Sequence, residues 1–454
     1  MSRYRRIVRQ KNSKPQSYQR SLVALLAVVI GTFLCGLLVV LSNRISLLHF
    51  INNQISVLFI SLLLILLGLL IITICQYFSR EQVSVITIPK MSPQSYKMSK
   101  RIRNLFSDKQ ITDILKLSNT SRFGEEMPEI YVWIDEKQLN GYIAVENIAN
   151  WERADREKFE QRVSGILSGK YQRFAVTNSE LTCGDSYIIF HIEDTLTSQR
   201  LFVKEGTDTL QPFVNDDSQA IQLSKDLVWH SDIVPHMSII ARTRAGKSVF
   251  AGRYMARLMQ LQGWIVEYNS AKYDRYVKEH NGKSDPIDMV ESAEHWCSIM
   301  NDRLARINEA GKEKYLEMDN MPNIGLFYDE LGNLNASLES LDKTDKTLKI
   351  TSRWINAINR LSATGASAGI HIIAISQYAT KEGFLPSLAR VNCSDAVIML
   401  GGAADSPDER KYIMSGFADM PKRSYKQGQG VARIIGSGKK WETPHFFETP
   451  WFEE

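Results

Sequence analysis

The segment Ala241-Arg-Thr-Arg-Ala-Gly-Lys-Ser248 decides the fold of this chain. It follows an apolar run at 237–240 and precedes a stretch whose apolar residues recur at helical spacing. This order predicts a strand, a tight turn and a helix. A glycine-containing turn in that context binds phosphate, because backbone N–H groups and the helix N-terminus surround the negative charge.

Residues of this turn are expected to bind ATP with Mg²⁺. Lys247 is predicted to reach the β- and γ-phosphates, which also makes it catalytic, and Ser248 is predicted to bind Mg²⁺. Ala241 stands where the motif usually has its first glycine, and the turn tolerates the added methyl group if the φ angle there is negative. The predicted nucleotide-binding residues are Ala241, Arg242, Thr243, Arg244, Ala245, Gly246, Lys247, Ser248 and Val249.

A pair of acids follows another apolar run further along the chain. Residues 324–328 read as a strand, and Asp329 and Glu330 come directly after it. Asp329 is predicted to hold Mg²⁺, and Glu330 is predicted to be the catalytic base that polarises the attacking water. A strand that ends in solvated acids would have the same sequence, but the upstream Lys247 favours the catalytic interpretation.

A polar amide ends a third apolar run. Residues 370–376 read as a strand, and Gln377 follows it. Its position after the acidic strand suits a residue that senses the γ-phosphate, so Gln377 is our third predicted catalytic residue. The alternative is a polar strand end without a role.

Strands alternate with helices from about residue 231 onward, which predicts a mainly parallel α/β sheet. The fold class is therefore α/β, with a RecA-like P-loop motor domain over 221–454. A small α/β subdomain for packing or oligomerisation is expected over 128–220. The predicted motor strands are 237–240, 264–268, 324–328, 370–376, 396–400 and 431–435, with a short tail after the last. The subdomain is expected to have strands at 130–134, 142–145 and 187–192 and a helix at 156–167.

Two apolar segments precede these domains. Residues 21–41 and 55–77 carry no charged side chain, and each has about the ~20 residues that a bilayer core requires. We therefore expect two transmembrane helices. The first twenty residues carry seven Arg or Lys and no acid, so the positive-inside rule places this basic tail and the motor domain in the cytoplasm of a cell-membrane protein.

The remaining composition excludes several classes of site. Five cysteines are scattered without a CxxC pair, which argues against a disulfide framework and a zinc site. A net charge of +5 is too small to identify a partner.

Residues 80–127 are polar and contain Pro89 and Pro93, so we expect an irregular tether there.

Residues 235–249, Pro-His-Met-Ser-Ile-Ile-Ala-Arg-Thr-Arg-Ala-Gly-Lys-Ser-Val, resemble the P-loop region of the FtsK/SpoIIIE family of DNA translocases. Further segments follow in the order of that family, although the acid-Pro-Lys element lacks its proline here and Asn301 replaces a glutamate. These segments are Glu267-Tyr-Asn-Ser-Ala-Lys272, Met300-Asn-Asp-Arg303, Asp329-Glu330 and Gly365-Ala-Ser-Ala-Gly-Ile-His371, which leads into Gln377. Two spans and a single short motor are typical of the TcpA-like coupling proteins of Gram-positive conjugative elements.

The resemblance implies a homo-hexameric ring with ATP between subunits and DNA in a central channel. A trans-acting arginine would then be needed, and Arg390 and Arg410 are weak candidates, for which a surface salt bridge is the preferred alternative. Basic residues after the acidic strand are candidates for phosphate contacts with DNA, although a solvated helix face fits them slightly better. They are Lys343, Lys346, Lys349 and Arg353.

Three functions compete at this point. The first is a membrane-anchored, ATP-driven DNA translocase that couples a relaxase–DNA complex to the channel proteins of conjugative transfer. The second is the ATPase of a protein secretion system, although such proteins usually carry several motor modules in tandem. The third is a non-catalytic membrane scaffold with a degenerate nucleotide site, which only Ala241 supports.

Overall fold

The computed structural model describes residues 16–44, 52–78, 86, 88–115, 119–121, 124–126, 128–147, 153–182, 184, 186–204, 209–380, 382–418, 420–421 and 423–453. The chain forms two compact units. The first comprises Met1–Ile88 with Asn119–Met127, and the second comprises Pro89–Ser118 with Pro128–Glu454. The basic tail predicted at 1–20 lies largely outside the described residues.

The first unit contains two long apolar helices, α1 (Gln16–Arg44) and α2 (Asn52–Phe78). Each is long and apolar enough to be a candidate membrane span. They pack against one another, because Gly36 leaves room for the ring of Phe59 and Ser42 Oγ donates a hydrogen bond to Asn52 Oδ1 at 2.8 Å. A short antiparallel pair, β1 (Asn119–Ser121) and β2 (Gly124–Glu126), belongs to the same unit.

The second unit begins with a four-stranded antiparallel sheet in the order β3-β4-β6-β5. Apolar side chains alternate along its strands, so one face packs against helices and forms a core. The elements are α3 (Pro93–Phe106), α4 (Lys109–Ile114), β3 (Ile130–Ile134), β4 (Asn140–Glu146), α5 (Arg153–Lys170), β5 (Phe174–Leu181) and β6 (Tyr187–Asp194). The predicted small α/β subdomain is therefore present, and β5 is a strand that the sequence pattern did not reveal.

Helix α3 shows that an irregular tether was the wrong expectation for this part of 80–127. Ser92 caps the helix and Pro93 occupies its first turn, a favourable start. Ile102 and Phe106, one helical turn apart, are fully buried in the core of the small subdomain. Ser99 Oγ also donates to the carbonyl of Val132 on β3 at 2.6 Å, so the segment is part of a folded layer.

The rest of the second unit is built on a seven-stranded sheet in the order β11-β12-β13-β10-β14-β15-β16. The strands from β11 to β14 are parallel, whereas β15 and β16 are antiparallel, so the mainly parallel sheet is confirmed. The strands of the unit from residue 202 onward are β7 (Phe202–Val203), β8 (Ala220–Ser224), β9 (Leu227–His230), β10 (Met237–Ala241), β11 (Ile265–Ser270), β12 (Ile324–Asp329), β13 (Ile370–Ser376), β14 (Ala396–Leu400), β15 (Gln429–Ile434), β16 (His445–Glu448) and β17 (Trp451–Phe452).

Helices cover both faces of this sheet and complete two buried cores. A π-helical segment, Val249–Ala256, follows the predicted phosphate-binding turn before α6 begins. It packs closely on the helix that contains Tyr276 (Arg275–Glu279), since a Cβ at Gly252 would lie 2.4 Å from the ring of Tyr276. The helices are α6 (Arg257–Leu261), α7 (Arg275–Glu279), α8 (Pro286–Glu309), α9 (Leu331–Thr344), α10 (Ile350–Thr364), α11 (Ser387–Asn392) and α12 (Pro407–Ile413).

Two predicted boundaries of the motor domain differ from the structure. Leu201 and Leu210 are buried in the core of the large sheet, so the motor fold begins before residue 221. The expected tail after 435 instead contains β16, an edge strand of that sheet, and β17, which pairs with β7. Both differences arise because segments far apart in sequence meet to bury apolar surface.

Candidate nucleotide-binding site

The phosphate-binding turn lies at the carboxyl end of β10, between β13 and β14. Ala241 is the last residue of the strand and pairs with Leu400, so the backbone there is extended and the methyl group in place of glycine causes no strain. Arg244 and Gly246 have positive φ angles of 65° and 97°. Only glycine adopts the second value readily, which is why position 246 needs this residue.

The Lys247 ammonium group is buried between two carboxylates. Its Nζ lies 2.7 Å from Asp329 Oδ1 and 2.8 Å from Glu330 Oε1. Burial alone would lower the pKa of Lys247, but the two acids outweigh it and the pKa is raised. The lysine therefore stays charged at neutral pH, and it joins the turn to the end of β12.

Asp329 is almost completely buried at the tip of β12. Burial raises its pKa, and the charge of Lys247 opposes that rise without cancelling it. The hydroxyl of Tyr268 on β11 donates a hydrogen bond to Asp329 Oδ2 at 2.8 Å. Tyr268 was not predicted as a site residue, since nothing in its local sequence distinguishes it from a core tyrosine.

Glu330 has an uncommon backbone conformation. Its φ of 56° places it in the left-handed region, and its N–H donates to Asp329 Oδ1 at 2.7 Å. Such a conformation costs of order 1 kcal/mol in a residue other than glycine and persists where the surroundings impose it. Here it directs the buried carboxylate of Glu330 towards Lys247 instead of along the strand.

Gln377 connects the acidic strand to the phosphate-binding turn. Its Nε2 donates to Glu330 Oε2 at 3.0 Å, and its Oε1 accepts a hydrogen bond from Thr243 Oγ1 at 3.2 Å. Because β13 lies between β12 and β10, the amide at its end spans the gap between both neighbours. The three predicted catalytic residues are thus brought together by adjacent strand ends.

The turn and the acids fit ATP with Mg²⁺. The first N–H groups of a helix have no partner within it and can bind phosphate, and Lys247 adds a positive charge beside them. Ser248 begins that helix, Val249 follows it, and Asp329 supplies a carboxylate oxygen, so a hydroxyl and a carboxylate are available as the hard oxygen ligands that Mg²⁺ prefers. The chain thus combines a mainly parallel α/β sheet with a glycine-containing turn at the end of a strand, which is the arrangement of a P-loop domain.

Two further contacts surround the turn and were not foreseen. Arg242 forms an ion pair with the buried Glu409 of α12. In addition, the N–H of Gly428 donates to the carbonyl of Ala245 at 3.0 Å, and its own carbonyl accepts from the N–H of Thr449 at 2.8 Å. The C-terminal strands therefore support the turn directly.

The two arginines considered as trans-acting residues have other environments. Arg410 is almost completely buried and donates hydrogen bonds to backbone carbonyls, among them those of Phe417 and Ala418. It is unavailable to a neighbouring subunit, and the preferred alternative, a surface salt bridge, was also wrong for it. The guanidinium of Arg390 lies 5.7 Å from the ring centre of Tyr412 and is half-buried.

The basic residues considered for DNA contact fall into two groups. Lys343, Lys346 and Lys349 are exposed at the end of α9 and in its connection to α10. Arg353 is instead half-buried and forms two hydrogen bonds with Glu294, of 2.9 and 2.6 Å. Arg353 therefore lies on a helix face and pairs with an acid, which matches the alternative interpretation, a helix face without DNA contact.

No family model matches the chain, and no curated protein matches it. Among solved structures, the pCW3 conjugation coupling protein TcpA, in a monomer form with ATPgS, is similar at 14% identity and a TM-score of 0.48. The similar region covers 79% of this chain and 96% of the TcpA chain.

Two secretion ATPases are also similar in structure. The cytoplasmic domain of EssC is 11% identical with a TM-score of 0.35, and the similar region covers 54% of this chain and 46% of the EssC chain. The cytoplasmic domain of the Thermomonospora curvata type VII secretion ATPase EccC is 16% identical with a TM-score of 0.34, over 48% of this chain and 25% of its own. The chain thus spans about half and a quarter of these two structures.

Proposed function

We propose that this protein is a membrane-anchored ATP-driven DNA translocase that acts as the coupling protein in conjugative DNA transfer. The observation that carries the proposal is the cluster of Lys247, Asp329, Glu330 and Gln377 on three neighbouring strand ends. This arrangement supplies a phosphate ligand, a metal ligand, a base and a polar sensor within one site. The order of motifs from 235 to 377 resembles DNA translocases and supports DNA as the cargo.

In this proposal Lys247 holds the β- and γ-phosphates, while Ser248 and Asp329 hold Mg²⁺, which neutralises phosphate charge when bound. Binding of ATP exchanges the carboxylate partners of Lys247 for phosphate oxygens. Glu330 is then free to accept a hydrogen bond from the attacking water and to orient it. Gln377 holds the Glu330 carboxylate in place, and its hydrogen bond with Thr243 makes its position depend on the conformation of the turn.

The two apolar helices support localisation to the cell membrane. We propose that α1 and α2 both cross the bilayer, with the basic N-terminal tail and the motor domain in the cytoplasm. Labelling of single cysteines from outside intact cells tests this topology. A cysteine introduced between the two helices, within residues 45–51, should react with an impermeant maleimide, and one at the exposed Lys346 should react only after lysis.

The expected partners are DNA, a relaxase–DNA complex, channel proteins and further copies of the chain in a homo-hexameric ring. Exposed Lys343, Lys346 and Lys349 are candidates for contact with DNA phosphates, since a motor must bind any sequence. Ring formation in detergent is measured by mass photometry with and without ATP. A species six times the mass of the protomer supports the hexamer, whereas a ring with another number of subunits would contradict it.

The experiment that tests the function is ATP hydrolysis by the purified full chain in detergent, with and without DNA. We expect DNA to stimulate hydrolysis, and Lys247→Ala and Glu330→Gln to abolish it. Exposed Lys312→Ala and Glu339→Gln are matched controls, because they change the same residue types at solvent-exposed positions outside the site motifs. Glu330→Gln should still bind ATP, because Lys247 and the turn are retained.

Other outcomes would select another function. Hydrolysis by an assembled ring that no DNA stimulates would favour protein export over DNA transfer. An assembled protein that binds ATP without hydrolysing it would contradict the motor and leave the membrane scaffold as the better interpretation.

A further inference from the structure

Two consecutive residues after β13 contact two consecutive residues of the phosphate-binding turn. Gln377 accepts a hydrogen bond from Thr243 Oγ1 at 3.2 Å. Tyr378 presents its ring to Arg242, whose guanidinium carbon lies 4.8 Å from the ring centre. A guanidinium within about 6 Å of a ring centre is attracted by the negative face of the ring. Arg242 thus contributes a second attachment between the turn and the segment that carries Gln377.

Arg242 also forms an ion pair with Glu409. The Glu409 side chain is 4% exposed, whereas that of Arg242 is 41% exposed, so the pair reaches from the interior to the surface. Burial raises the pKa of Glu409 and the charge of Arg242 opposes this rise. Glu409 lies in the first turn of α12, whose N-terminus is capped by Ser406, so its position is set by a helix.

The pair has spare hydrogen-bonding capacity. Within the described part of the chain, Arg242 Nε and Glu409 Oε2 are buried and have no hydrogen-bond partner. Their mutual contact, together with the backbone N–H of Ala379 beside Glu409, compensates for placing the Glu409 carboxylate in the interior. Loss of the negative charge should release Arg242 from this side of the turn.

We propose that Glu409 is a positioning residue for ATP hydrolysis. It holds Arg242 against Tyr378, and this stack fixes Gln377 between Thr243 and Glu330. Glu409 itself does not touch the carboxylates of the site; its effect passes through Gln377 to the orientation of Glu330. The inference rests on the proposed ATPase function, and it adds α12 to the parts of the fold that set the catalytic geometry.

The test compares Glu409→Gln with the parent in two backgrounds, using the full chain in detergent without DNA. Glu409→Gln keeps the shape but removes the charge, and it should lower kcat roughly tenfold while KM for ATP changes less than about threefold. In a Gln377→Ala background the same substitution should change kcat less than about twofold, because the residue through which it acts is gone.

Three further variants give the comparison its controls. Tyr378→Leu should lower kcat more than Tyr378→Phe, which keeps the ring that Arg242 contacts. Glu294→Gln removes the carboxylate of another arginine–glutamate pair, with Arg353 on α10, and should leave kcat unchanged. Equal loss from Glu409→Gln in both backgrounds would overturn the proposal, because Glu409 would then act independently of Gln377.

Hydrogen exchange gives a readout that does not depend on hydrolysis. In Glu409→Gln the amides of 242–246 and 377–379 should exchange faster than in the parent, with unchanged protection in the distant α8. Unchanged exchange at both segments would overturn the positioning role. A parent protein that does not hydrolyse ATP would refute the proposed function separately, while the exchange experiment would still decide whether Glu409 holds the turn.

Discussion

Gln377 Nε2 donates a hydrogen bond to Oε2 of Glu330 at 3.0 Å, although the two residues are 47 positions apart in sequence. The contact exists because β12 and β13 are adjacent and parallel, so their carboxyl ends open on the same edge of the sheet. It leaves Glu330 Oε1 to Lys247, at 2.8 Å. One carboxylate thus connects the amide of Gln377 to the ammonium group of Lys247.

This relationship predicts the effects of two substitutions at Gln377. Gln377→Ala removes the donor to Glu330 and should lower kcat for ATP hydrolysis by roughly 10- to 100-fold. Gln377→Glu places a second carboxylate at that position, and like charges at hydrogen-bond distance disfavour ionisation of both. The pH at which activity rises should therefore shift upward in Gln377→Glu, as measured from the pH profile of kcat. An unchanged profile would show that position 377 does not face Glu330 in the working enzyme.

The Tyr268 hydroxyl should matter for Asp329. Tyr268→Phe removes the donor to a buried carboxylate, which should cost about 2 kcal/mol of unfolding free energy and raise the Mg²⁺ concentration needed for half-maximal hydrolysis. Tyr254→Phe is the matched control, because this buried hydroxyl donates at 2.8 Å to the backbone carbonyl of Gln222. It should cost about 1 kcal/mol without changing the Mg²⁺ requirement. Equal Mg²⁺ curves for both variants would contradict this assignment.

Gly428 should be sensitive to a single added methyl group. Its φ is 72°, and a Cβ there would lie 2.6 Å from Thr449 Oγ1 and 2.9 Å from Arg200 Nη2. Because its N–H supports Ala245 in the turn, Gly428→Ala should weaken ATP binding at least about fivefold, measured with a fluorescent ATP analogue. Gly438→Ala is the control, since Gly438 also has a positive φ, 98°, but a Cβ there meets nothing within 4 Å. Equal losses of affinity in both would count against support of the turn by Gly428.

His236 predicts a dependence of stability on acid pH. It is fully buried, its Nδ1 accepts the N–H of Ile372 at 3.0 Å, and Nε2 lies 3.0 Å from the carbonyl of Ser362. These partners require a neutral ring, and burial lowers the pKa of His236 to about 4. The unfolded chain, with a histidine pKa of about 6.5, binds more protons between these values, so stability present above about pH 6.5 is lost as the pH falls towards 4.

The His236→Gln variant isolates this contribution, because an amide can donate and accept but does not titrate in this range. Between pH 7 and pH 4.5 the parent should lose about 2 kcal/mol more unfolding free energy than the variant, measured by denaturant unfolding with tryptophan fluorescence. His371, whose pKa burial lowers to about 3, is retained in both proteins. Equal losses would mean that His236 is not buried in its neutral form.

Most strands of the motor domain could be predicted because each carries its own signal. The run that becomes β13 was predicted at 370–376 and the run that becomes β14 at 396–400, and the structure has these bounds. Both strands are completely buried, so each sequence is a mostly apolar run; β13 is interrupted only by His371 and ends at Ser376. Polar residues at the ends of such runs marked Lys247, Asp329, Glu330 and Gln377 before any contact was known.

Helix α3 and strand β16 could not be predicted in the same way. The sequence of α3 is mostly polar, and Ile102 and Phe106 can be recognised as core residues only from the sheet that covers them. Strand β16 pairs with β15 across the turn that follows Ile434, and its identity depends on an open sheet edge being available. Short segments with weak local preferences take the structure that their neighbours impose.

The sequence by itself determined the glycine-containing turn at 241–248, the strand that ends in two acids, the position of Gln377 at a strand end and the two candidate spans, because each depends on residues that are close together in the chain. Only the tertiary structure decided the hydroxyl of Tyr268 on Asp329, the support of the turn by Gly428, the pairing of Arg242 with Glu409 and the burial of Arg410. The physical reason is that these contacts join segments whose distance is set by sheet order and helix packing. Neither the sheet order nor the helix packing can be read from a local sequence pattern.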